Sequence, residues 1–240
     1  MQYNSHTVLP INYRVCYSKD NILANINSSD PNANLELSTR ISLKNKKINQ
    51  IKLSANVQRF DAKILGINNA FAKAIYSGNI QANLSQLSTN MPHGEVELKQ
   101  FNITDGPHGN YNLQQLQASL YNCSNNKQQF SINSDFIDAK IIGQLTPKKI
   151  QNGIQCIINK CLPGLMPRPQ QMAAKDEEWN INAHLKQSEA FEKLFGINVS
   201  VQEGLHVQGT VNAGSGRTSL SVFANQIDVV GQSFTRPSIY

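Results

Sequence analysis

The chain has 240 residues, of which 40% are hydrophobic and only 16% are charged, with a formal net charge of +6. About 50 residues are Asn or Gln, so amides supply much of the polarity that charged side chains supply in an average domain. No run reaches the roughly 18 to 20 consecutive apolar residues of a membrane-spanning helix. The basic residues are scattered and aromatic residues make up only 7%, which argues against a nucleic-acid surface.

Apolar and polar residues alternate with a period of two through most of the chain, which predicts half-buried β-strands. The first clear pair is 35–44 and 51–58, joined by the lysine-rich segment 44–47, which we interpret as a hairpin turn. Further strands are predicted at 78–85, 94–103 (with a phase slip before Phe101), 111–122, 128–133 and 137–145.

The pattern changes to a helical period after residue 145. Thr146 and Pro147 form an N-cap signal, and an amphipathic helix is predicted over 147–162. The proline-rich segment 163–178 is predicted to be a loop or linker. Alternation then returns around a short helix at 188–195, with strands predicted at 179–185, 204–213, 217–224 and 226–231. The predicted organisation is therefore 1–162 with 147–162 as a covering helix, the linker 163–178, and a second β segment at 179–240.

Motifs for catalysis or metal binding are not apparent in the sequence. The glycines of GSGR at 214–217 are interpreted as a β-turn, because no Lys-Ser/Thr pair follows them. His93 and His108 occur in the similar pieces MPHG and GPHG, and the neighbouring Pro and Gly favour turns over metal ligands. We therefore expect no enzymatic activity, no catalytic residues, no metal and no cofactor.

Two stretches carry a resemblance to a known family. The first, at 130–165, has a strand, the tripeptide SDF, a second strand and an amphipathic helix that ends in Leu-Pro. The second, at 179–234, has a strand, a short helix, the segment EGLHVQGTVNA and strands that end in VVGQSF. This order resembles the periplasmic part of TamB-like proteins of Bacteroidota, in the wider AsmA-like group of envelope proteins, and it covers most of residues 20–240.

The resemblance implies a fold, a location and partners. The implied fold class is all-β: an elongated, curled antiparallel sheet (a β-taco or groove) with two short amphipathic helices. Because TamB-like proteins are long chains anchored in the inner membrane, this chain would be an internal fragment in the periplasm of a Gram-negative bacterium. Its aliphatic groove would bind or conduct phospholipid between the inner and outer membranes and support outer-membrane assembly. The implied partners are phospholipid acyl chains, flanking repeats of the parent chain and a TamA-like outer-membrane β-barrel protein.

The candidate groove residues are the aliphatic members of the alternating pattern. Periodicity alone fits an open groove and a closed β-sandwich equally well, so a secreted β-sandwich module for adhesion or glycan binding is the alternative. The candidates are Leu35, Leu37, Ile41, Leu43, Ile51, Leu53, Val57, Ile80, Leu84, Val96, Leu98, Leu205, Val207, Val211, Leu220 and Val222.

Overall fold

A computed structural model describes two short segments at 2–3 and 6–7 and then residues 11–64, 74–89, 91–123, 127–145, 178–195, 199–212, 218–229, 232–235 and 238–239. The strands are β1 (Gln2–Tyr3), β2 (His6–Thr7), β3 (Ile11–Ser18), β4 (Asn21–Asp30), β5 (Ala33–Lys44), β6 (Lys47–Asp61), β7 (Ile75–Ser85), β8 (His93–Gly106), β9 (Gly109–Asn122), β10 (Gln128–Ser134), β11 (Ile137–Gly143), β12 (Glu178–Leu185), β13 (Val199–Asn212), β14 (Thr218–Val229), β15 (Gln232–Thr235) and β16 (Ser238–Ile239). Among the described residues, a helix, α1, spans Glu189–Phe195. The chain divides into two units: a first unit of Met1–Ser119 with Lys193–Gly196, and a second unit of Leu120–Glu192 with Ile197–Tyr240.

In the first unit, strands β3 to β9 lie side by side in the order of the sequence, while β1 and β2 form a separate pair. Their pairing is antiparallel, and β3 is an edge strand of this order. The predicted hairpin is β5–β6, in which Ile41 lies opposite Ile51. Asn45 and Lys46 have φ values of 52° and 60°. Positive φ at both central residues is the signature of a type I′ turn, whose twist matches that of the flanking strands.

The phase slip predicted in β8 is present as a β-bulge. Gln100 has a φ of 49°, and the pairing of β7 with β8 shifts between Ser77 and Asn79. A Cβ atom on Gly78 would lie 2.8 Å from the Cα atom of Phe101, so this close approach requires glycine. The bulge turns Phe101 and Ile103 onto the sheet face that Val96 and Leu98 occupy before it.

In the second unit, β10 to β14 also follow the order of the sequence and pair antiparallel, and β15 and β16 both pair with β14. A second bulge interrupts the β13–β14 pairing between Gln202 and Leu205, where Gly204 has a φ of 88°. The described part of the chain contains no helix that is long and apolar enough to span a membrane.

The all-β fold class is confirmed: the described residues form antiparallel sheet whose strand order is open, not closed on itself. The short helix predicted at 188–195 is α1. The predicted helix 147–162, the linker up to residue 177 and the turn at 214–217 lie outside the described residues, so the predicted segment boundaries stay predictions.

Two details of the sequence interpretation change. His93 is not a turn residue but the first residue of β8, where it lies opposite Ser85, whereas His108 does lie in the turn between β8 and β9. Strands β3 and β4 were not predicted, although residues 11–18 and 21–30 alternate clearly.

Candidate functional site

The register of the first unit places its aliphatic side chains on one face, which we call the aliphatic face. In most rows across the strands, apolar residues lie opposite apolar residues, as Ile26, Leu37, Ala55, Ile80 and Leu98 do. Neighbouring side chains in such a row are close enough to pack, because opposite Cβ atoms lie about 4.5 to 5.5 Å apart. The members of the aliphatic face on β4 to β8 are Ile22, Ala24, Ile26, Leu35, Leu37, Thr39, Ile41, Leu43, Ile51, Leu53, Ala55, Val57, Ile80, Ala82, Leu84, Val96 and Leu98.

The opposite surface of the same strands, the polar face, carries amides, hydroxyls and charges. One row across it is Asn25, Ser38, Ser54, Gln81 and Glu97. Ion pairs on this face join Glu97 to Lys99, at 2.9 Å, and Arg59 to Asp61, at 3.1 Å. Because strand side chains alternate between faces, the separation of apolar from polar residues follows directly from the sequence pattern.

The two faces differ in their exposure to solvent along most of β4, β5 and β6, whereas on β8 Glu95 and Glu97 are half-buried like Val96 and Leu98. Ser38 and Ser54 on the polar face are exposed, whereas Ala55, the residue next to Ser54, is only 7% exposed. Larger side chains of the aliphatic face, such as Leu37 and Leu53, are half-buried. The aliphatic face is therefore shielded more than the polar face, but its large side chains are not buried as they are in a packed core.

The aliphatic pattern continues onto the edge strand β3, where it is open to solvent. Ile11, Tyr13, Val15 and Tyr17 share a face with the aliphatic side chains of β4, since they lie opposite Ser28, Ile26, Ala24 and Ile22. Tyr13 is 76% exposed and Tyr17 is 69% exposed, so the face loses its shielding at this edge. These four residues were not among the candidates from the sequence. Their alternation with polar residues is the sequence signal that would have placed them on this face.

One end of the aliphatic face carries a row in which Asp30, Ala33 and Ile103 are buried and Phe60 and Tyr76 are half-buried. These five residues lie opposite one another across the strands. Asp30 is 2% exposed, and its carboxylate accepts a hydrogen bond of 2.8 Å from the backbone N–H of Asn32 in the β4–β5 turn. Tyr76 stacks on Phe101 with ring centroids 6.1 Å apart, and its burial raises the pKa of its hydroxyl. This end is packed protein, so the surface open to a ligand lies away from it.

In the second unit the equivalent apolar face forms a packed core. Its buried cluster consists of Ile141, Leu145, Trp179, Ile181, Val211 and Leu220. Trp179 is 1% exposed and lies against Gly143, where a Cβ atom would come within 2.6 Å of its ring. The same alternation therefore gives a half-buried face in the first unit and a buried one in the second.

The candidate residues fall into two groups that differ in burial. All the candidates from Leu35 to Leu98 lie on the aliphatic face of the first unit and are half-buried. In the second unit, Leu205 and Val207 are half-buried, whereas the three others are buried: Val211 at 2%, Leu220 at 7% and Val222 at 5% exposure. Those three have the environment of core residues, so the first unit contains the better candidates for ligand contact.

The polar face of the first unit contains two shallow clefts. One of about 510 Å³ is bordered by Asn12, Arg14, Asn25, Asn27, Glu36 and Asn56, among other residues. A second, of about 420 Å³, is bordered by Lys52, Gln81 and Glu97. Both present hydrogen-bonding groups.

Comparisons with protein-family models, curated proteins and solved structures found no match to this chain.

Proposed function

We propose that this chain is a segment of a TamB-like envelope protein whose aliphatic face binds or conducts phospholipid between the inner and outer membranes. One observation carries the proposal: the large aliphatic side chains of the first unit are half-buried, while the same pattern in the second unit forms a packed core. A continuous apolar surface that packing does not cover is a place where a soluble protein contacts an apolar partner.

An acyl chain suits this surface because it needs no directional contacts. Away from the end that holds Asp30, the side chains of the aliphatic face are those of Leu, Ile, Val and Ala, with the hydroxyls of Ser28 and Thr39 and no charged group. Removing apolar area from water contributes about 25 cal/mol per Å², or about 0.8 kcal/mol for each buried methylene. From Ile51 to Val57 the face extends roughly 20 Å along one strand, since a strand rises about 3.3 Å per residue. This length is comparable to that of an extended acyl chain, and the headgroup would remain in water at the open edge.

The setting implied by this function is the periplasm, with the parent protein anchored in the inner membrane. The partners we propose are the acyl chains, flanking repeats of the parent chain and a TamA-like outer-membrane β-barrel protein, with a role in outer-membrane assembly. The open strand order supports the flanking repeats, because among the described strands β3 has a neighbour only on its β4 side, and such an edge can pair with a further strand.

A glycan-binding or adhesion module is the second candidate, and the clefts on the polar face favour it. Amide and carboxylate side chains such as Asn27, Asn56 and Glu36 are suitable hydrogen-bonding partners for sugar hydroxyls. The β-sandwich architecture of that alternative does not match the open strand order. Tyr13 borders the larger cleft, but its side chain lies on the aliphatic face, so it does not offer a sugar ring a stacking platform there.

Lipid co-purification tests the proposal. The protein would be purified without detergent from a Gram-negative host, and bound lipid identified by native mass spectrometry and solvent extraction. We expect phospholipid with the native protein, a marked loss in Leu37→Glu and no loss in Ser38→Glu, because Leu37 and Ser38 are neighbours on opposite faces. Absence of lipid from the native protein, or equal loss in both variants, would contradict the proposal. Specific retention on a glycan array, lost in Asn27→Ala, would favour the second candidate.

A further inference from the structure

Two histidines of the second unit lie against each other on its polar face. His184 of β12 and His206 of β13 are directly opposite in the antiparallel register. Their rings are stacked, with centroids 3.9 Å apart and planes 8° from parallel. The side chains lie on the face opposite the buried cluster of Trp179, so both rings are within reach of solvent: His206 is exposed and His184 is half-buried.

The backbone at Gly204 leaves room for the ring of His184. Gly204 lies at the bulge of β13, with a φ of 88° that favours glycine. A Cβ atom at this position would lie 2.7 Å from Nε2 of His184. The bulge therefore leaves space that the His184 ring occupies, and any other residue at 204 would displace the ring.

The ring nitrogens of the pair have no polar partner among the described residues. Neither imidazole has a hydrogen bond or an ion pair with the residues that the structure describes. The groups that face the pair from the neighbouring strands are Asp138, opposite His184, and Phe223, opposite His206. Asp138 is itself engaged, since its carboxylate accepts contacts of 2.8 Å from Lys186 Nζ and from Asn133 Nδ2. Lys186 is thus the neighbouring cation, and its charge is paired.

We propose that His184 and His206 together bind one divalent transition-metal ion of the nickel, copper and zinc group, with water completing the coordination. Imidazole is a good ligand for these ions, and a metal–nitrogen distance is about 2.0 to 2.1 Å. Two imidazoles on directly opposite residues reach one ion when the rings turn out of the stack, so that their in-plane lone pairs converge. Within the described ranges no group of three or more His, Cys, Asp or Glu side chains is arranged as a metal site, so the protein supplies two ligands.

With only two imidazole ligands from the protein, the ion is expected to exchange readily. Among these ions, affinity is expected to be highest for Cu²⁺. The site lies on the polar face of the second unit and involves none of the residues proposed to contact lipid.

Calorimetric titration of the untagged protein with Zn²⁺ at pH 7.5 tests the proposal. We expect one ion to bind, with an affinity lowered at least about tenfold in His206→Gln. The matched control is His108→Gln, which removes a histidine from a turn of the first unit and should leave the titration unchanged. Unchanged fluorescence of Trp179, the single tryptophan, would show that the second unit of each variant is folded. Binding that survives His206→Gln, or no binding by the native protein, would overturn the proposal.

A measurement on the native protein tests the metal site without any substitution. Substoichiometric Ni²⁺ should broaden the imidazole proton resonances of His184 and His206 in the NMR spectrum before those of the other three histidines. Equal broadening of all five histidines would show non-specific contact and would overturn the proposal.

Discussion

Replacing Leu53 by glutamate probes whether the aliphatic face is open. Leu53 is half-buried in the centre of β6, opposite Thr39 and Ala82. Full burial of a leucine side chain stabilises a fold by about 1.5 to 3 kcal/mol, so losing a partly buried one costs about 1 to 2 kcal/mol. Partial desolvation of the new carboxylate adds roughly 1 to 3 kcal/mol. A total loss of about 2 to 5 kcal/mol does not exceed the roughly 5 to 15 kcal/mol that stabilise most domains, and the variant should fold.

The matched control is Ser54→Glu, one residue further along the same strand. Ser54 is exposed on the polar face, and surface substitutions of this kind change stability by about 0.5 kcal/mol or less. Urea denaturation followed by far-UV circular dichroism measures both changes in the free energy of unfolding. Complete unfolding of Leu53→Glu would show that the face is a closed core, and equal losses in the two variants would refute the assignment of faces.

Three further predictions follow from single contacts. Gly143→Ala should destabilise the second unit and shift the emission of Trp179 in a fluorescence spectrum, because the new methyl group would lie 2.6 Å from the indole ring. Lys46→Gly should raise the free energy of unfolding by about 0.5 kcal/mol in a urea titration, since the type I′ turn holds Lys46 at positive φ next to Asn45. Burial raises the pKa of Tyr76, so its contribution to stability is complete below the ordinary pKa of tyrosine and is lost as the pH rises through the folded value. Tyr76→Phe should therefore weaken the loss of stability at alkaline pH, measured as the shift of the thermal midpoint.

The strands and their faces were largely predictable from the sequence, because alternation directly encodes which side chains share a face. The β5–β6 hairpin, its lysine-rich turn and the phase slip in β8 all follow from local patterns. The strand at 11–18 was missed although Tyr13, Val15 and Tyr17 alternate with polar residues.

The degree of burial was not predictable, because alternation does not record what lies over a face. Leu53 and Leu220 have similar sequence surroundings, yet Leu53 is half-buried and Leu220 is 7% exposed. The stacking of the two histidines could not be predicted either, because His184 and His206 lie on separate strands and meet only through the register of β12 with β13. Long-range register and packing depth are properties of the folded chain rather than of any short window of sequence.

Site-specific photo-crosslinking to phospholipid tests the central claim most directly. A photoreactive amino acid would replace either Ile80, which is half-buried on the aliphatic face, or its neighbour Gln81, which is exposed on the polar face. Each protein would be irradiated with phospholipid vesicles and analysed by mass spectrometry. If the aliphatic face holds acyl chains, lipid adducts form at position 80 and are absent or minor at position 81. Equal adducts at both positions, or none at position 80, would contradict the account.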